Sequence, residues 1–486
     1  MKTPRIAVAL SGLFLAACTF DVGNLNQPGL DQILANPTPA AVEAVATGLL
    51  AGHRADMAER IGYVSELGIL GRESLVLAGS DDRFVTEMLN GITLDPSTTN
   101  FGGNFWRVPY ANIRNANLLL DALFNTPGLV DQDKEAIRGF AKTMMALDFL
   151  KIINTHDVNG AAIDVDLPIG QLAPFVSKDQ VFERIALLLD QAQGHLQAAG
   201  AAFPMPLSNG FTSFSTPALF IQVNRALAAR VAVYRGRFSE ALTALSASFI
   251  DPATPGGTPS ASTSLAPWPG TGAFDSYGLG SGDTQNDLNT PDILVHQSII
   301  DGAEDLATKP PGCTGLACKD TRVQSKVTLV VDANGIPAPV KLYGETSGYN
   351  LTLYPKKDSP IPIIRNEELI LLRAEANCAP SPFPPTASAP GTCTGNVAAA
   401  ILDIDYIRQN SGGVPASAGL NSSNLLDELL KQKRYSLLFE GGHRWIDARR
   451  YGRANGPVAT LPIDQPSIQH VQTAFPIPQS EVDARK

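Results

Sequence analysis

Asn424–Gly452 reads NLLDELLKQKRYSLLFEGGHRWIDARRYG, and this stretch decides the fold. Its first half predicts an amphipathic helix, because leucines recur at helical spacing while charged and amide side chains occupy the solvated face. The apolar stripe consists of Leu425, Leu426, Leu429, Leu430, Leu437 and Leu438. Asn424 is a suitable N-cap, and Gly441-Gly442 can adopt the left-handed conformation that ends such a helix.

A second short helix is expected after the glycine pair. It combines charged side chains with two large aromatic side chains: Arg444, Asp447, Arg449, Arg450, Trp445 and Tyr451. Isolated buried charges are too costly to keep, so charges beside large aromatics predict a partly buried ion-pair network.

The same stretch resembles the C-terminal signature of the SusD/RagB family, from Arg434-Tyr435 and Phe439 through Glu440–Tyr451. Asn104–Leu123, with its Trp-x3-Tyr-x2-Ile-x3-Asn spacing, and Arg365–Asn377 resemble further blocks of that family. Family members are surface lipoproteins that work with TonB-dependent outer-membrane transporters in nutrient uptake. The resemblance therefore implies a tetratricopeptide-like scaffold of helix pairs with long irregular loops.

Composition is compatible with a large folded core. The chain has 486 residues, of which 44% are hydrophobic and 17% charged, which argues against disorder. A net charge of -10 gives no electrostatic reason to expect nucleic acid as a partner. Its 42 glycines and 36 prolines predict long ordered loops between helices.

The N-terminus predicts a lipoprotein. Lys2 and Arg5 form a basic region, Ile6–Leu15 is apolar, and Leu15-Ala16-Ala17-Cys18 resembles a bacterial lipobox. Cys18 would then carry the lipid (palmitate) chains that anchor the protein to the outer membrane, since more than one chain is needed for stable anchoring. A plain secretory signal cleaved near Ala17 is the alternative.

The four cysteines that remain after Cys18 form an even set, as expected in an oxidising compartment. We favour the pairs Cys313–Cys318 and Cys378–Cys393, each of which would close a loop rich in glycine and proline. The alternative is a zinc site, but the cysteine spacing and the lack of nearby histidines disfavour it.

The rest of the chain predicts an all-α scaffold with a few short strands and no parallel sheet. Thr216–Leu245 has the clearest repeat unit, in which Gly236 turns one helix into the next as in a tetratricopeptide motif. Other helices are expected at Thr38–Arg54, Asn104–Leu123, Asp133–Ile153, Gln180–Leu196, Arg365–Asn377 and Asn396–Arg408. In the helix expected at Asn104–Leu123, we expect the Trp106 side chain to lie in the core. We expect the Asn117 side chain to form hydrogen bonds with backbone groups inside the core. Val327–Val331 and Tyr349–Leu353 alternate as short strands do.

Five regions follow from these patterns. They are a signal peptide (1–17), a lipid anchor and tether (18–39), an N-terminal helical part (40–250), an irregular loop-rich insertion (251–360) and a C-terminal helical part (361–486). Ligand specificity is expected in the irregular loops, since long loops in a compact domain are often functional.

A sugar-binding surface needs aromatic faces together with amide, carboxylate or guanidinium groups. Trp268, Phe274 and Tyr277 provide such faces in one loop region, and the polar partners there are Asp275, Asp283, Gln285 and Asn286. The alternative is that these aromatics pin the loop to its own scaffold.

A second candidate for the rim of a ligand-binding site contains Arg72 and Asp81. Asp82 and Arg83 follow Asp81 directly in the sequence.

Metal binding and catalysis have weaker support. Asp283, Asp287, Asn289 and Asp292 supply oxygen ligands that could suit calcium, although Leu288 stands where an EF-hand needs glycine. No catalytic motif is recognised. Glu367-Glu368 and Asp403-x-Asp405 are carboxylate pairs that helix salt bridges and solvated faces would explain.

The leading hypothesis is a non-enzymatic surface lipoprotein that captures glycans for a SusC-like TonB-dependent barrel, with no cofactor other than the calcium considered above. A peptide ligand is the main variant, since the RagB branch of the family is associated with peptide uptake. A periplasmic tetratricopeptide-type scaffold and a secreted glycoside hydrolase are the alternatives from other classes.

Overall fold

The computed structural model describes residues 36–486 apart from 99–100, 102, 169, 261–264, 266–267, 282, 387–388 and 456–458. The expected signal peptide, the lipidation site Cys18 and most of the tether lie outside the described residues.

Helices make up 46% of the described residues and strands 10%, which confirms the all-α class with short strands. The helices are α1 (Pro39–Arg54), α2 (Tyr63–Leu70), α3 (Arg83–Thr86), α4 (Asn104–Ala122), α5 (Asp131–His156), α6 (Lys178–Ala198), α7 (Pro217–Tyr234), α8 (Phe238–Ser246), α9 (Gln297–Asp301), α10 (Thr321–Lys326), α11 (Asn366–Cys378), α12 (Val397–Asn410), α13 (Leu425–Ser436), α14 (His443–Arg450) and α15 (Gln479–Asp483).

Local sequence explains where several of these helices begin. The Thr38 side chain accepts a hydrogen bond from the backbone N–H of Ala41 at the start of α1. Ser177 and Gln180 form a reciprocal capping box at the start of α6. Thr216 caps α7, and Pro217 occupies its first turn, where a missing N–H costs nothing.

Successive helices from α4 to α8 pack against one another, and α11 packs against both α8 and α12. Gly236 makes the expected turn between α7 and α8 with φ of 69°. A Cβ added there would lie 2.4 Å from Phe383, so only glycine fits both the conformation and the space.

The strands are short and, among the described residues, all their pairings are antiparallel. They are β1 (Ser74–Val76), β2 (Ala161–Ala162), β3 (Phe175–Val176), β4 (Gly272–Asp275), β5 (Ile293–Val295), β6 (Val327–Leu329), β7 (Val340–Leu342), β8 (Glu345–Ser347), β9 (Tyr349–Leu351), β10 (Ile361–Arg365), β11 (Pro380–Ser381) and β12 (Thr392–Cys393). The expected strands near 327 and 349 are present and pair with each other. They belong to a four-stranded sheet of order β1-β5-β9-β6, which joins region 251–360 to the N-terminal part.

Three hydrophobic clusters form the core. The largest lies among α1 and α4–α8, the second among α2, the four-stranded sheet and the Trp445 region, and the third among α11–α13. Trp106 is 3% exposed, as expected for a core residue. Asn117 is half-buried, and Asn112 makes the interior crosslink instead, from its Nδ2 to the Leu49 carbonyl (3.0 Å) and to Asp148 (2.7 Å).

The structure bonds Cys313 to Cys318 and Cys378 to Cys393, with Cα–Cα distances of 5.5 and 4.5 Å. The second bond joins the end of α11 to β12.

The C-terminal signature differs from the prediction at the glycine pair. Helix α13 ends at Ser436, before the expected Gly441-Gly442. Gly442, with φ of 77°, instead lies at the N-cap of α14, where a Cβ would be 2.4 Å from Leu67. The reason is tertiary: close packing of α14 on α2 requires glycine at this position.

Glu440 lies at the centre of one buried charged cluster. Its carboxylate accepts hydrogen bonds from Arg365 Nε (2.6 Å), Lys326 Nζ (2.8 Å) and Trp268 Nε1 (3.1 Å). Burial alone would raise the pKa of Glu440, but Arg365 and Lys326 outweigh burial and lower that pKa to about 2.

A second buried cluster contains Glu375 and Asp447. Lys433 lies 2.8 Å from Glu375 and 2.7 Å from Asp447, and Arg450 lies 2.6 Å from both carboxylates. The predicted network thus includes Asp447 and Arg450.

Arg449 and Arg444 lie outside both clusters. The Arg449 guanidinium stacks 3.6 Å from the centre of the Trp445 ring. Arg444 donates a hydrogen bond to the Thr460 carbonyl.

The four carboxylates were expected on solvated faces and in helix salt bridges. Most are buried, so the solvated faces were wrong, but the salt bridges are present. Glu367 pairs with Arg365, Glu368 with Arg230 and Asp403 with Arg373, at 2.6–2.7 Å. Asp405 is half-buried and accepts hydrogen bonds from Ser417. Helices that are covered on both sides leave no solvated face for these groups, so each buried charge needs a partner.

Candidate ligand-binding clefts

The predicted aromatic surface is not assembled as an exposed platform. Trp268 is half-buried, its ring meets Tyr354 edge-on at 5.6 Å, and its Nε1 is bound to Glu440. Phe274 is half-buried in β4, and Tyr277 is only 7% exposed. For Trp268 the structure therefore favours the alternative given above, in which a loop aromatic attaches the loop to its own scaffold and does not bind a sugar.

The second predicted rim is also not a rim. Arg72 is 1% exposed and has φ of 54°, and its guanidinium donates hydrogen bonds to the carbonyl oxygens of Ile69, Pro462 and His470. Arg72 therefore anchors the C-terminal segment. Asp81 is half-buried and binds Arg83 through both carboxylate oxygens at 3.0 and 2.7 Å.

Asp275, Tyr277 and Asp283 do come together, in what we call the Tyr277 cleft. It has a volume of about 340 Å³. Its walls are the second half of α1, residues 206–209 and the segment after β4: Thr47, Leu50, Ala51, Arg54, Pro206, Leu207, Ser208, Asn209, Asp275, Ser276, Tyr277 and Asp283. Gln285 is exposed and does not line this cleft.

Arg54 organises the cleft. It forms an ion pair with Asp283, and its guanidinium lies 5.5 Å from the centre of the Tyr277 ring. The Thr284 backbone N–H and Arg54 together lower the pKa of Asp283. The Tyr277 hydroxyl has no hydrogen-bond partner among the described residues. A buried hydroxyl without a partner carries the free-energy cost of an unmade hydrogen bond.

Asp275 also lines a second cavity, of about 60 Å³. Burial raises the pKa of Asp275, while His53 and Lys151 across the cavity act in the opposite direction. Lys151 binds Asp56 at 2.7 Å and His53 Nδ1 lies 2.7 Å from Asp148, so both side chains are committed to other carboxylates.

A further cleft of about 320 Å³ was not predicted. We call it the Trp106 cleft. Its lining is formed by α4, by segments 162–168 and 170–173, and by α15 with the residues after it: Trp106, Tyr110, Arg114, Ala162, Asp164, Val165, Leu167, Pro168, Gly170, Gln171, Leu172, Ala173, Glu481 and Arg485. The helical Trp-x3-Tyr spacing was visible in sequence, but the distant loop and C-terminal helix that complete the cleft were not.

The calcium candidates do not converge. Asp283 pairs with Arg54, Asp292 with Arg60 at 2.7 Å, and Asp287 with Lys357 at 3.5 Å. In the part of the chain that the structure describes, no group of three or more His, Cys, Asp or Glu side chains is arranged to hold a metal ion. The same part contains no helix that is long and apolar enough to cross a bilayer.

Solved structures with the same fold cover nearly the whole chain. A SusD superfamily protein from Bacteroides thetaiotaomicron VPI-5482 has a TM-score of 0.64 at 16% identity, covering 92% of this chain and 98% of that chain. A SusD-like protein from Bacteroides fragilis NCTC 9343 gives 0.63 at 16% identity, with 91% and 95% covered. A laminarin-binding SusD-like protein gives 0.57 at 17% identity, with 92% and 97% covered.

No family model and no curated protein matches the chain. The fold is nevertheless plain, because the similarity extends over more than nine-tenths of both chains in each comparison. The chain has the SusD-like fold, as the C-terminal signature predicted.

Proposed function

We propose that this protein is a non-enzymatic, lipid-anchored glycan-binding protein of the outer membrane. The observation that carries the proposal is the shared fold over 92% of the chain with a protein described as a laminarin-binding SusD-like protein. A structural neighbour from Bacteroides fragilis, with a TM-score of 0.63 at 14% identity, is likewise described as a SusD-like carbohydrate-binding protein.

We assign glycan binding to the Tyr277 cleft. A cleft of about 340 Å³ lies within the usual range for small-ligand sites. It offers an exposed amide at Asn209, an ion-paired carboxylate at Asp283 and the Arg54 guanidinium, and the nearly buried Tyr277 ring forms part of its wall. Such a mixture suits a ligand with hydroxyl groups and weakly apolar faces. Binding alone is proposed, without bond cleavage.

The test is binding of soluble polysaccharides, with laminarin included, by affinity electrophoresis and calorimetry. We expect Asn209→Ala and Asp283→Ala to weaken binding at least about tenfold, since each removes a hydrogen-bonding group worth about 1.4 kcal/mol. Gln171→Ala is the matched control, because it removes an exposed amide from the Trp106 cleft. Loss of binding in Gln171→Ala alone would move the site to the Trp106 cleft.

A peptide ligand remains the alternative. Failure to bind any polysaccharide, together with capture of peptides from a random library, would replace the glycan by a peptide. Release of reducing sugar by the purified wild-type protein would contradict the non-enzymatic assignment.

Delivery to a SusC-like TonB-dependent barrel and lipidation at Cys18 are further parts of the proposal. Both rest on the fold and on the lipobox-like sequence. Affinity purification from detergent-solubilised outer membranes should recover a large TonB-dependent barrel, and mass spectrometry should find an acylated Cys18 as the first residue. Recovery of periplasmic proteins only, with an unmodified thiol, would favour the scaffold alternative.

A further inference from the structure

A small pocket of about 150 Å³ lies between the two helices of the C-terminal signature. Helix α13 contributes one face at helical spacing, α14 contributes the opposite face, and the following segment closes one end. The lining residues are Asp427, Leu430, Lys431, Arg434, Arg444, Asp447, Ala448, Arg453 and Thr460. We call it the arginine pocket. It is separate from both clefts described above, since it shares no lining residue with them.

The two carboxylates of the arginine pocket are already committed. Asp447 binds Arg450 through one oxygen (2.6 Å) and Lys433 through the other (2.7 Å). Asp427 binds Arg453 Nη2 at 2.7 Å. Each of the two carboxylates is therefore already paired with a cation.

The remaining cations outnumber their partners. Arg434 donates to the neutral Ser298 hydroxyl and Arg444 to the neutral Thr460 carbonyl. Over the described ranges, neither guanidinium has a carboxylate within ion-pair distance. Lys431 pairs with Glu304, which it shares with Arg408. Burial lowers the pKa of Arg434, and the more distant Glu73 and Asp301 oppose this shift only in part.

Several guanidinium N–H groups also lack acceptors. Arg453 is 4% exposed, yet its Nε and Nη1 have no hydrogen-bond partner among the described residues, and the same holds for the Nε atoms of Arg434 and Arg444. Buried donors without acceptors are rare in folded proteins and cost free energy. The pocket thus combines excess positive charge with unused donors, and both are satisfied by an anion.

We propose that the arginine pocket binds one small oxyanion, a phosphate or sulfate group. Guanidinium groups match the geometry of such anions and form short, charge-assisted hydrogen bonds with them. The volume admits a single tetrahedral group but is well below that of sites for larger ligands. The group is either a free inorganic ion or an ester carried by a larger molecule that stays outside. This proposal does not depend on glycan binding in the Tyr277 cleft.

The test uses the full mature protein and isothermal titration calorimetry. Sodium phosphate and sodium sulfate are titrated at constant ionic strength against a chloride background, which removes general salt effects. Arg444→Gln is the main variant, because this half-buried side chain contributes charge to the pocket but belongs to neither buried cluster. We expect Arg444→Gln to raise the Kd for phosphate or sulfate at least about tenfold.

Arg485→Gln is the matched control, since it removes an arginine from the Trp106 cleft and leaves the arginine pocket intact. Its Kd should equal that of the wild type. Circular dichroism establishes that each variant is folded, and Arg453→Gln provides a second pocket variant. The proposal is overturned if the wild type shows no oxyanion-dependent heat, or if both pocket variants bind as the wild type does.

A second titration identifies the source of the anion. A sulfated monosaccharide is compared with inorganic sulfate and with the unmodified monosaccharide. Tighter binding of the sulfated sugar supports an ester on a saccharide, and tighter binding of inorganic sulfate supports a free ion. Equal binding of the unmodified sugar would contradict recognition of the anion. Loss of neutral glycan binding with retained sulfate binding would count against the proposed function and not against this site.

Discussion

Replacing Glu440 by glutamine is expected to destabilise the fold by about 3–5 kcal/mol, the range measured when one partner of a buried ion pair is removed. The Glu440 carboxylate receives Arg365, Lys326 and Trp268 in a buried cluster. Glutamine has nearly the same shape as glutamate, so the substitution removes the negative charge with little change in packing. Arg365 and Lys326 then stay buried without the charge of Glu440.

The pKa of Glu440 gives an independent magnitude. A carboxyl whose pKa falls from 4.5 to about 2 on folding contributes about 3 kcal/mol of stability. Because the folded-state pKa is depressed, this contribution is fully present above the unfolded value near 4.5. It is lost as the pH falls from there toward 2. Both routes therefore predict a loss of several kcal/mol at neutral pH.

Urea denaturation at pH 7, followed by tryptophan fluorescence and circular dichroism, measures the effect. Glu481→Gln is the control, because Glu481 forms a part-exposed i,i+4 pair with Arg485 at the surface. Such a pair is worth about 0.3–0.5 kcal/mol. A Glu440→Gln variant within about 1 kcal/mol of the control would refute the reasoning. So would a wild-type stability that does not fall between pH 4.5 and 2 relative to the variant.

Three further changes test other features of the fold. Burial raises the pKa of Glu73 from 4.5 to about 8, so wild-type stability should fall by about 1.4 kcal/mol per pH unit across that window. Glu73→Gln should abolish this dependence of the unfolding free energy on pH, as measured by urea titrations at several pH values. An unchanged slope in the variant would contradict the raised pKa of Glu73. Gly442→Ala should cost about 2–4 kcal/mol through its positive φ and the close α2 side chain, whereas Gly48→Ala, in open space within α1, should stabilise by about 1 kcal/mol. Equal shifts in melting temperature for the two variants would be inconsistent with that reasoning. Replacing Cys378 and Cys393 together by alanine should lower stability by about 3 kcal/mol, the entropy of a loop with a sequence separation of 15. The fully reduced wild type should then match the variant, apart from the effect of its other disulfide.

The helices and turns were largely readable from the chain. Thr38 begins α1 as expected, and Gly236 makes the turn of the helix pair, because both depend on neighbours only a few residues away. The end of α13 was misplaced, since the role of Gly442 is set by Leu67 in a distant helix.

The candidate site was predicted in part. The sequence singled out Asp275, Tyr277 and Asp283, which line one cleft, but it also grouped them with Trp268, whose indole instead binds Glu440. The sequence does not distinguish an exposed tryptophan from one that is held against the scaffold. The difference depends on whether a polar group from a distant part of the chain accepts a hydrogen bond from the indole N–H.

Spacing along this chain therefore determined the helices, the helix–turn–helix repeat and the resemblance to SusD-like proteins. The tertiary structure alone decided which charges are buried and which cavities exist. Glu440 and Lys326 are 114 residues apart, yet they share one buried pair. Helix formation depends on local hydrogen bonds and side-chain spacing, whereas the state of an ionisable group depends on every element that packs around it.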